Sequence, residues 1–436
     1  MVFAALYRIY AGFINPPQAR KEDDAIRFGL LGASNIAPPA LITPARSHRE
    51  VIIAAVAARD RSRAEAYAKK HDLLNDPSID AVYIALPNSL HFEWALRAIK
   101  ARKHVLLEKP SCSNGEEARA LFNHPLVKAP NAPVLLEAFH YRFHPAWQTF
   151  MSLIHDDAVA GPVKHAHAQQ YLFKGVIPFD DIRWRYDLAG GAMMDFGTYT
   201  VNCLRQILRE EPSQVIEVHW RGVPSSQSDQ AGGQQIDQAM TATYKTESGA
   251  TGSIIADLAA SGGWPLLPSS WTKNIPSIGW PKCEAELGEK EVESPKSADD
   301  EKHFVKRKVT LWNHLAPSVY HRIDVEDTHT IHRDGTLLKT WKESQNLKSY
   351  SWPSGDKQAY AGEDWWSTYH CQLHEFVNKI KGREGSGVWV DGDDSIKQME
   401  AIDRTYEKAG MKTIRAKRGI SESTYDLYSS SVNAAN

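Results

Sequence analysis

The stretch that most limits how this chain can fold runs from Ile79 to Pro110. Ile79 to Leu86 is a short apolar run closed by Pro87-Asn88, which reads as a buried parallel strand. His104-Val105-Leu106-Leu107 is a second such run. Between them, His91 to Arg102 sets Phe92, Ala95, Leu96 and Ile99 on one stripe, so the unit is strand, helix, strand. Ligands in sheets of this kind sit beyond the carboxyl ends of the strands. Asn88 falls there after the first strand, and Glu108-Lys109 after the second. A desolvated lysine at that place can face a cofactor, with its pKa drawn down from about 10.4 towards a value useful for proton transfer.

Upstream, Ile26 to Gly32 is a strand that runs into a glycine turn, Gly29-x-x-Gly32-Ala33-Ser34-Asn35-Ile36-Ala37. This is a loosened dinucleotide fingerprint: glycine lets the backbone approach a pyrophosphate, and the following helix offers its first amides to the charge. The next strand, Val51 to Ala57, ends at Ala58-Arg59-Asp60. An arginine there suits a 2′-phosphate, so Arg59 favours NADP over NAD. Glu116 to Phe122 reads as a helix and Val134 to Ala138 as a further strand, which completes a doubly wound α/β sheet.

With 436 residues, 42% of them hydrophobic, the chain is most simply two domains. Its 51 basic and 53 acidic residues are interspersed for a net charge of −2, which gives no basis for a nucleic-acid or membrane partner. Cys112, Cys203, Cys283 and Cys371 form no CxxC and suit a reducing, cytoplasmic compartment without a disulfide framework. No histidine pair has HExxH spacing, so no metal is expected, and His140, His144, His165 and His167 read as structural or solvated. Phe3, Leu6, Tyr7, Tyr10, Phe13 and Ile14 fall at helical spacing around Arg8. They predict an amphipathic helix packed on the body rather than a signal peptide.

From Val163 the pattern changes to alternating strands: Val163 to Phe173, Val215 to Val223, Ala239 to Lys245, Thr251 to Ala256, Val309 to Trp312 and Ile323 to Ile331. These predict an open, mostly antiparallel sheet with helices on one face. Ser261 to Lys302 reads as insertion loops of unassigned fold. Trp365 to Lys381 and Asp394 to Ala409 are amphipathic helices, and the Ser- and Asn-rich tail after Ser421 is expected to be disordered. The expected units are therefore an N-terminal helix and linker (1–24), a Rossmann domain (25–142), an α+β substrate-binding and dimerisation domain (143–420) and a tail (421–436). Within the second domain, Asp181-Ile182-Arg183-Trp184-Arg185 precedes a stretch in which Asp195 and Tyr199, four apart, share a helix face.

Four motifs in order, the glycine turn, Leu86-Pro87-Asn88-Ser89-Leu90-His91, Glu108-Lys109-Pro110 and Glu137-Ala138-Phe139-x-Tyr141-Arg142-Phe143-His144-Pro145, resemble those of the Gfo/Idh/MocA oxidoreductases. The branch most resembled is that of dimeric dihydrodiol dehydrogenases and fungal NADP-dependent D-xylose 1-dehydrogenases, because Tyr199 stands where the polyol-oxidising branch carries histidine. The resemblance implies hydride transfer between NADP and a sugar, polyol or small carbonyl compound, in a homodimer built through the second-domain sheet. It implies that Lys109 and Tyr199 handle the proton, that Asp195 orients the substrate and that Asn88 holds the nicotinamide ribose. It also gives Gly29, Gly32, Ser34, Asn35, Ile36, Arg59, Pro87, His91, Glu108 and Arg142 to the cofactor, with Trp184 and Arg185 reaching back to it. In one respect the chain departs from the family: about ten residues that would form an edge strand are missing between His71 and Asp72. This leaves five strands in the first sheet, with Val51 to Ala57 outermost. The shortened domain favours an alternative, a non-catalytic NAD(P)-binding regulator of the same fold, whereas Lys109 with the Asp195/Tyr199 pair favours the enzyme.

Overall fold

The computed structural model describes residues 2–57, 73–223, 236–262, 280–293, 300–352 and 362–413. Five strands, β1 (Ile26–Leu31), β2 (Val51–Ala57), β3 (Ala81–Ile84), β4 (His104–Leu107) and β5 (Leu135–Glu137), form a parallel sheet in the order β2-β1-β3-β4-β5. Phe28, Val82, Tyr83, Ile84, Leu106 and Leu107 are fully buried, which is why these strands read as continuous apolar runs. Among the described residues β2 is the outer strand, as expected; Arg59 and the stretch just after His71 lie outside them.

The N-terminal segment corrects an expectation. Helix α1 (Val2–Ile9) and the turn Tyr10–Ile14 form, but Phe3, Leu6, Tyr7, Tyr10 and Ile14 point outward and are at least half exposed. The buried side is formed by Arg8, Ala11 and Gly12: Arg8 donates to the Ser318 carbonyl at 2.9 Å, and its guanidinium lies over the Tyr350 ring at 3.9 Å. A cation–π seat and a carbonyl hold the guanidinium inward more firmly than the apolar stripe finds a partner.

Helices α2 (Thr43–Ser47), α3 (His91–Lys100) and α4 (Gly115–Phe122) belong to the first domain. The stripe of α3 is buried as its spacing predicts, and α4 starts at Asn114, whose side chain accepts from the Glu117 amide. The chain then leaves through α5 (Pro145–His155) into the second domain.

The second sheet comprises β6 (Val163–Phe173), β7 (Gln214–Gly222), β8 (Asp237–Lys245), β9 (Thr251–Ala260), β10 (Lys282–Leu287), β11 (Lys290–Val292), β12 (Glu301–Trp312), β13 (Arg322–Arg333) and β14 (Thr336–Leu347). Its order is β14-β13-β12-β10-β6-β9-β8-β7, with β11 on β12; only β6 and β9 pair in parallel. Three strands went unforeseen, the short β11 among them, in the same segment as β10. β10 lies in the segment read as insertion loops, yet occupies the middle of the sheet with Cys283, Ala285 and Leu287 buried in alternation. β14 is polar and exposed along most of its length. It is joined to β13 by Asp334-Gly335, both at positive φ (48° and 77°), the conformation a two-residue hairpin turn requires.

Helices α5 and α6 (Thr198–Leu208) cover one face of this sheet. Helix α7 (Thr368–Ile380) returns to the first domain, where Phe376 packs on Phe28 with ring centroids 6.0 Å apart. Just beyond it, Lys381 and Arg383 pair with Glu50. Helix α8 (Gly392–Lys408) lies between α4 and α6. No helix among the described residues is long and apolar enough to cross a membrane.

Candidate active site

A cleft of about 1510 Å³ opens at the carboxyl ends of β1, β3 and β4 and is closed from the other side by residues of the second domain. Gly32, Ser34, Asn35, Ile36, Pro87, Asn88, His91, Glu108, Lys109, Asp195 and Tyr199 all line it.

Lys109 follows directly from β4. Its ammonium donates to Asp195 Oδ1 at 2.8 Å and to the Asp195 carbonyl at 3.2 Å. An ammonium has three N–H groups, so one is left for the cleft. Asp195 Oδ2 accepts from Arg183 Nε at 2.5 Å, and Arg183 is in turn held by Asp181 at 3.0 Å. Burial pushes the Asp195 carboxyl up, but Lys109 and Arg183 outweigh it and hold the group well below the usual carboxylate range. With a cation on each oxygen, Asp195 fixes the position of Lys109 at the cleft.

Tyr199 sits one helical turn on from Asp195. Lys109 lies over its ring, 4.4 Å from the centroid, and the hydroxyl instead meets His140 Nε2 at 2.8 Å. Burial, reinforced by Tyr369, Glu108 and Asp195, raises the Tyr199 phenol well above its ordinary value. Tyr199 is therefore a neutral hydroxyl at pH 7. His140 Nδ1 meets Thr368 Oγ1 at 2.7 Å, and the Thr368 hydroxyl lies 3.4 Å from the Leu315 carbonyl. Burial, aided by the Lys109 charge, keeps His140 well below its ordinary value and hence neutral. A neutral ring carries one N–H. With it on Nδ1, facing Thr368, Nε2 accepts the Tyr199 proton; with it on Nε2, the Tyr199 proton is free to face the cleft.

The remaining lining residues shape the rim. Glu108 is buried and accepts from the Tyr83 hydroxyl at 2.6 Å; burial raises its carboxyl. His91 bridges the Pro110 carbonyl (2.7 Å) and the Leu86 carbonyl (2.9 Å), so it ties together the ends of β3 and β4. Burial takes this ring to about 4, so it is neutral at pH 7 and donates to one of the two carbonyls only. The Asn88 amide donates to the Ala189 carbonyl at 2.8 Å across the domain boundary.

Several assignments are redrawn. Gly29 does not line the cleft: it lies within β1, where a Cβ would meet the Leu73 side chain at 2.5 Å, so the glycine is there for packing. Arg142 is absent from the lining and is bound to Asp394 and to the Trp389 carbonyl (2.9 Å), a clasp onto α8. Trp184 donates to the Pro178 carbonyl and packs in a small cluster with Phe196 and Leu258, and the exposed Arg185 pairs with Asp187. The segment does reach the cleft, but through Asp181, Ile182 and Arg183. Arg183 and His140 were missed. The first was hidden beside the conspicuous Trp184-Arg185, and the second depends on Thr368, 228 residues away.

Three features of the turn bear on the dinucleotide that such a domain implies. Gly32 has φ +104°, and a Cβ there would meet the Ala85 carbonyl oxygen at 2.5 Å, so the turn admits only glycine. Ser34 Oγ, at the cleft, is buried without a hydrogen-bond partner. Pro38 and Pro39, which open the following helical turn, have no N–H, so backbone donors for a phosphate come from the turn itself. The orphaned hydroxyl and the glycine cradle fit a pyrophosphate.

Residues 26–125 match the model of an oxidoreductase family with an NAD-binding Rossmann fold, and residues 148–272 match the Gfo/Idh/MocA C-terminal domain, together more than half of the chain. The chain belongs to the Gfo/Idh/MocA oxidoreductases. Among relatives of this family, it is 38% identical over 192 residues to the D-xylose 1-dehydrogenase (NADP(+)) 2 of Haloferax volcanii (42% of this chain, 57% of that protein). It is 28% identical over 223 residues to the trans-1,2-dihydrobenzene-1,2-diol dehydrogenase of Xenopus tropicalis (47% and 64%). The chain thus spans less than two thirds of the length of the curated relatives it matches. A 3-ketoreductase from Actinomadura kijaniata, solved with NADP and TDP-benzene, shares the fold with a TM-score of 0.59 at 21% identity, over 89% of this chain and 98% of that one.

Proposed function

We propose that this Gfo/Idh/MocA protein transfers a hydride between NADP and a hydroxyl- or carbonyl-bearing carbon of a sugar, polyol or small carbonyl compound, like the xylose and dihydrodiol dehydrogenases it resembles. The observation that carries the proposal is the convergence, at one end of the cleft, of the spare Lys109 N–H and a Tyr199 hydroxyl backed by a neutral histidine. NADP would lie along the Gly32–Ile36 turn, with Ser34 and the turn amides on its phosphates, and when bound would supply or accept the hydride. Lys109 steadies the substrate oxygen and any negative charge that grows on it, in a site that holds Asp195 and Arg183 fixed beforehand. Tyr199 carries the proton. A neutral His140 suits both roles: with its N–H on Nδ1 it accepts from the Tyr199 hydroxyl, and with its N–H on Nε2 it leaves that hydroxyl free to donate into the cleft.

The test is a panel of aldoses, trans-dihydrodiols and diketones with NADP and NADPH, followed at the nicotinamide absorbance. Turnover of one class that Lys109→Ala abolishes supports the reading. Tight NADPH binding with no turnover across the panel would overturn it in favour of a regulator. We further propose a homodimer through the open, polar face of the second sheet, opposite α5 and α6. Sedimentation equilibrium should give twice the chain mass, and a monomer at micromolar concentration would exclude it.

A further inference from the structure

Away from the cleft, three residues distant in sequence meet in the core: Cys203 on α6, Cys283 on β10 and His314 in the loop after β12. Both sulfurs and an imidazole nitrogen lie within 4.8 Å of one another, and all three residues are buried. Cys283 Sγ stands 3.6 Å from His314 Nδ1. Cys203 also shares hydrogen bonds with Cys283, His314 and the Tyr141 hydroxyl. The His314 ring is held by aromatic edges, with Tyr141 at 5.5 Å and Trp147 at 6.3 Å.

We propose that Cys203, Cys283 and His314 supply three ligands of a tetrahedral site for one Zn²⁺ ion per chain, with a water molecule in the fourth position. Bond lengths of about 2.3 Å to sulfur and about 2.0 Å to nitrogen place tetrahedral ligands about 3.6 Å apart, the separation found between Cys283 and His314. Charge selects the ion: two thiolates and a neutral imidazole around a divalent cation sum to zero, whereas a monovalent cation would leave a net negative charge in the core. Burial excludes substrate, so the role is structural. Binding exchanges protons for metal. The two S–H bonds break, two S–Zn bonds form, and the protons leave to solvent without electron transfer.

Position gives the site its significance. Cys203 is one turn after Tyr199 on α6, and His314 precedes Leu315, which lines the cleft and accepts from Thr368. An ion here ties together the helix that bears the tyrosine, the central strand of the sheet and the loop behind the His140–Thr368 pair.

The test uses the full-length protein, stripped by chelator under reducing conditions and reloaded with Co²⁺. The expected result is a thiolate-to-cobalt charge-transfer band with tetrahedral visible absorption at one ion per chain, bleached by equimolar Zn²⁺. Zinc should also raise Tm. Cys283→Ser should weaken binding by at least about tenfold, and Cys371→Ser, a buried thiol outside the cluster, should retain it. No thiolate band on the wild-type protein, binding of Cu⁺ alone, or an unchanged band in a folded Cys283→Ser variant would each overturn the assignment. The wild-type cobalt spectrum decides even where a variant fails to fold.

Discussion

Lys109 stands over the face of the Tyr199 ring, not at its hydroxyl, and the hydroxyl belongs to His140. Charge stabilisation and proton handling therefore fall to different groups, one on the face of the ring and one at its hydroxyl, and a substitution of one should leave the other intact.

Removing the Tyr199 hydroxyl while keeping the ring isolates the proton step. Tyr199→Phe should lower kcat by about 10²–10⁴-fold, with NADPH affinity and Tm near wild type. His140→Asn, which leaves the hydroxyl in place, should cost less and should alter the pH profile of kcat. Steady-state rates with NADPH titrations decide the matter, and a Tyr199→Phe enzyme at full rate would make Lys109 the sole acid.

Asp195→Asn keeps the size of the side chain and removes the charge between Lys109 and Arg183. Breaking a buried pair of this kind costs roughly 3–5 kcal/mol, and the acceptor that asparagine keeps puts the loss at the lower end. Urea unfolding should show it together with a fall in kcat. Unchanged stability would mean that the two cations find other partners.

The two glycines of the N-terminal motif should separate. Gly32→Ala forces a side chain onto a backbone oxygen at positive φ, so dinucleotide binding should be lost along with stability. Gly29→Ala meets only the Leu73 side chain and should cost about 1–3 kcal/mol of overpacking with affinity retained. Isothermal titration of NADPH into each variant measures the difference; equal loss of affinity in both would return Gly29 to the binding surface.

Stability should fall as the solution is acidified from pH 6.5 to 4.5. Burial takes His91 and His321 down to about 4 and His144 and His370 to about 3, so in this window the unfolded chain binds protons that the folded one refuses. Buried Glu137 and Asp237, raised to about 7, act in the opposite sense: they are protonated in the folded state and ionised in the unfolded one, so acidification favours the fold at these two sites. The histidines outnumber them, and Asp237→Asn should steepen the fall. Urea midpoints at the two pH values test the sign, and a more stable protein at pH 4.5 would contradict it.

The parallel sheet was legible because each of its strands is buried on both sides and therefore apolar end to end. β6 was legible from its alternation. β14 shows none, since Thr336 to Leu347 gains its place from backbone pairing with β13; the one local signal was the Asp334-Gly335 turn. β10 has only three inward residues, too few to stand out among glycines, prolines and charges. At the site, Lys109, Asp195 and Tyr199 were legible through motifs, but their partners were not. Arg183 reaches Asp195 from a short helical turn, and Thr368 reaches His140 from far along the chain, by contacts that no local period encodes. Arg142 was misjudged for the same reason, because its true partner, Asp394, lies 252 residues on.

Helix α7 sets an order on events at the ribosome. The first domain emerges early, but Phe28 on β1 receives its cover from Phe376, and His140 its hydroxyl partner from Thr368, only when the last fifth of the chain has been made. Until then the nascent sheet carries a bare apolar face, and the tyrosine's relay ends at an imidazole with an unfilled nitrogen. Synthesis arrested short of residue 368 yields a chain that has every motif of the nucleotide fold and still lacks the lid of its core.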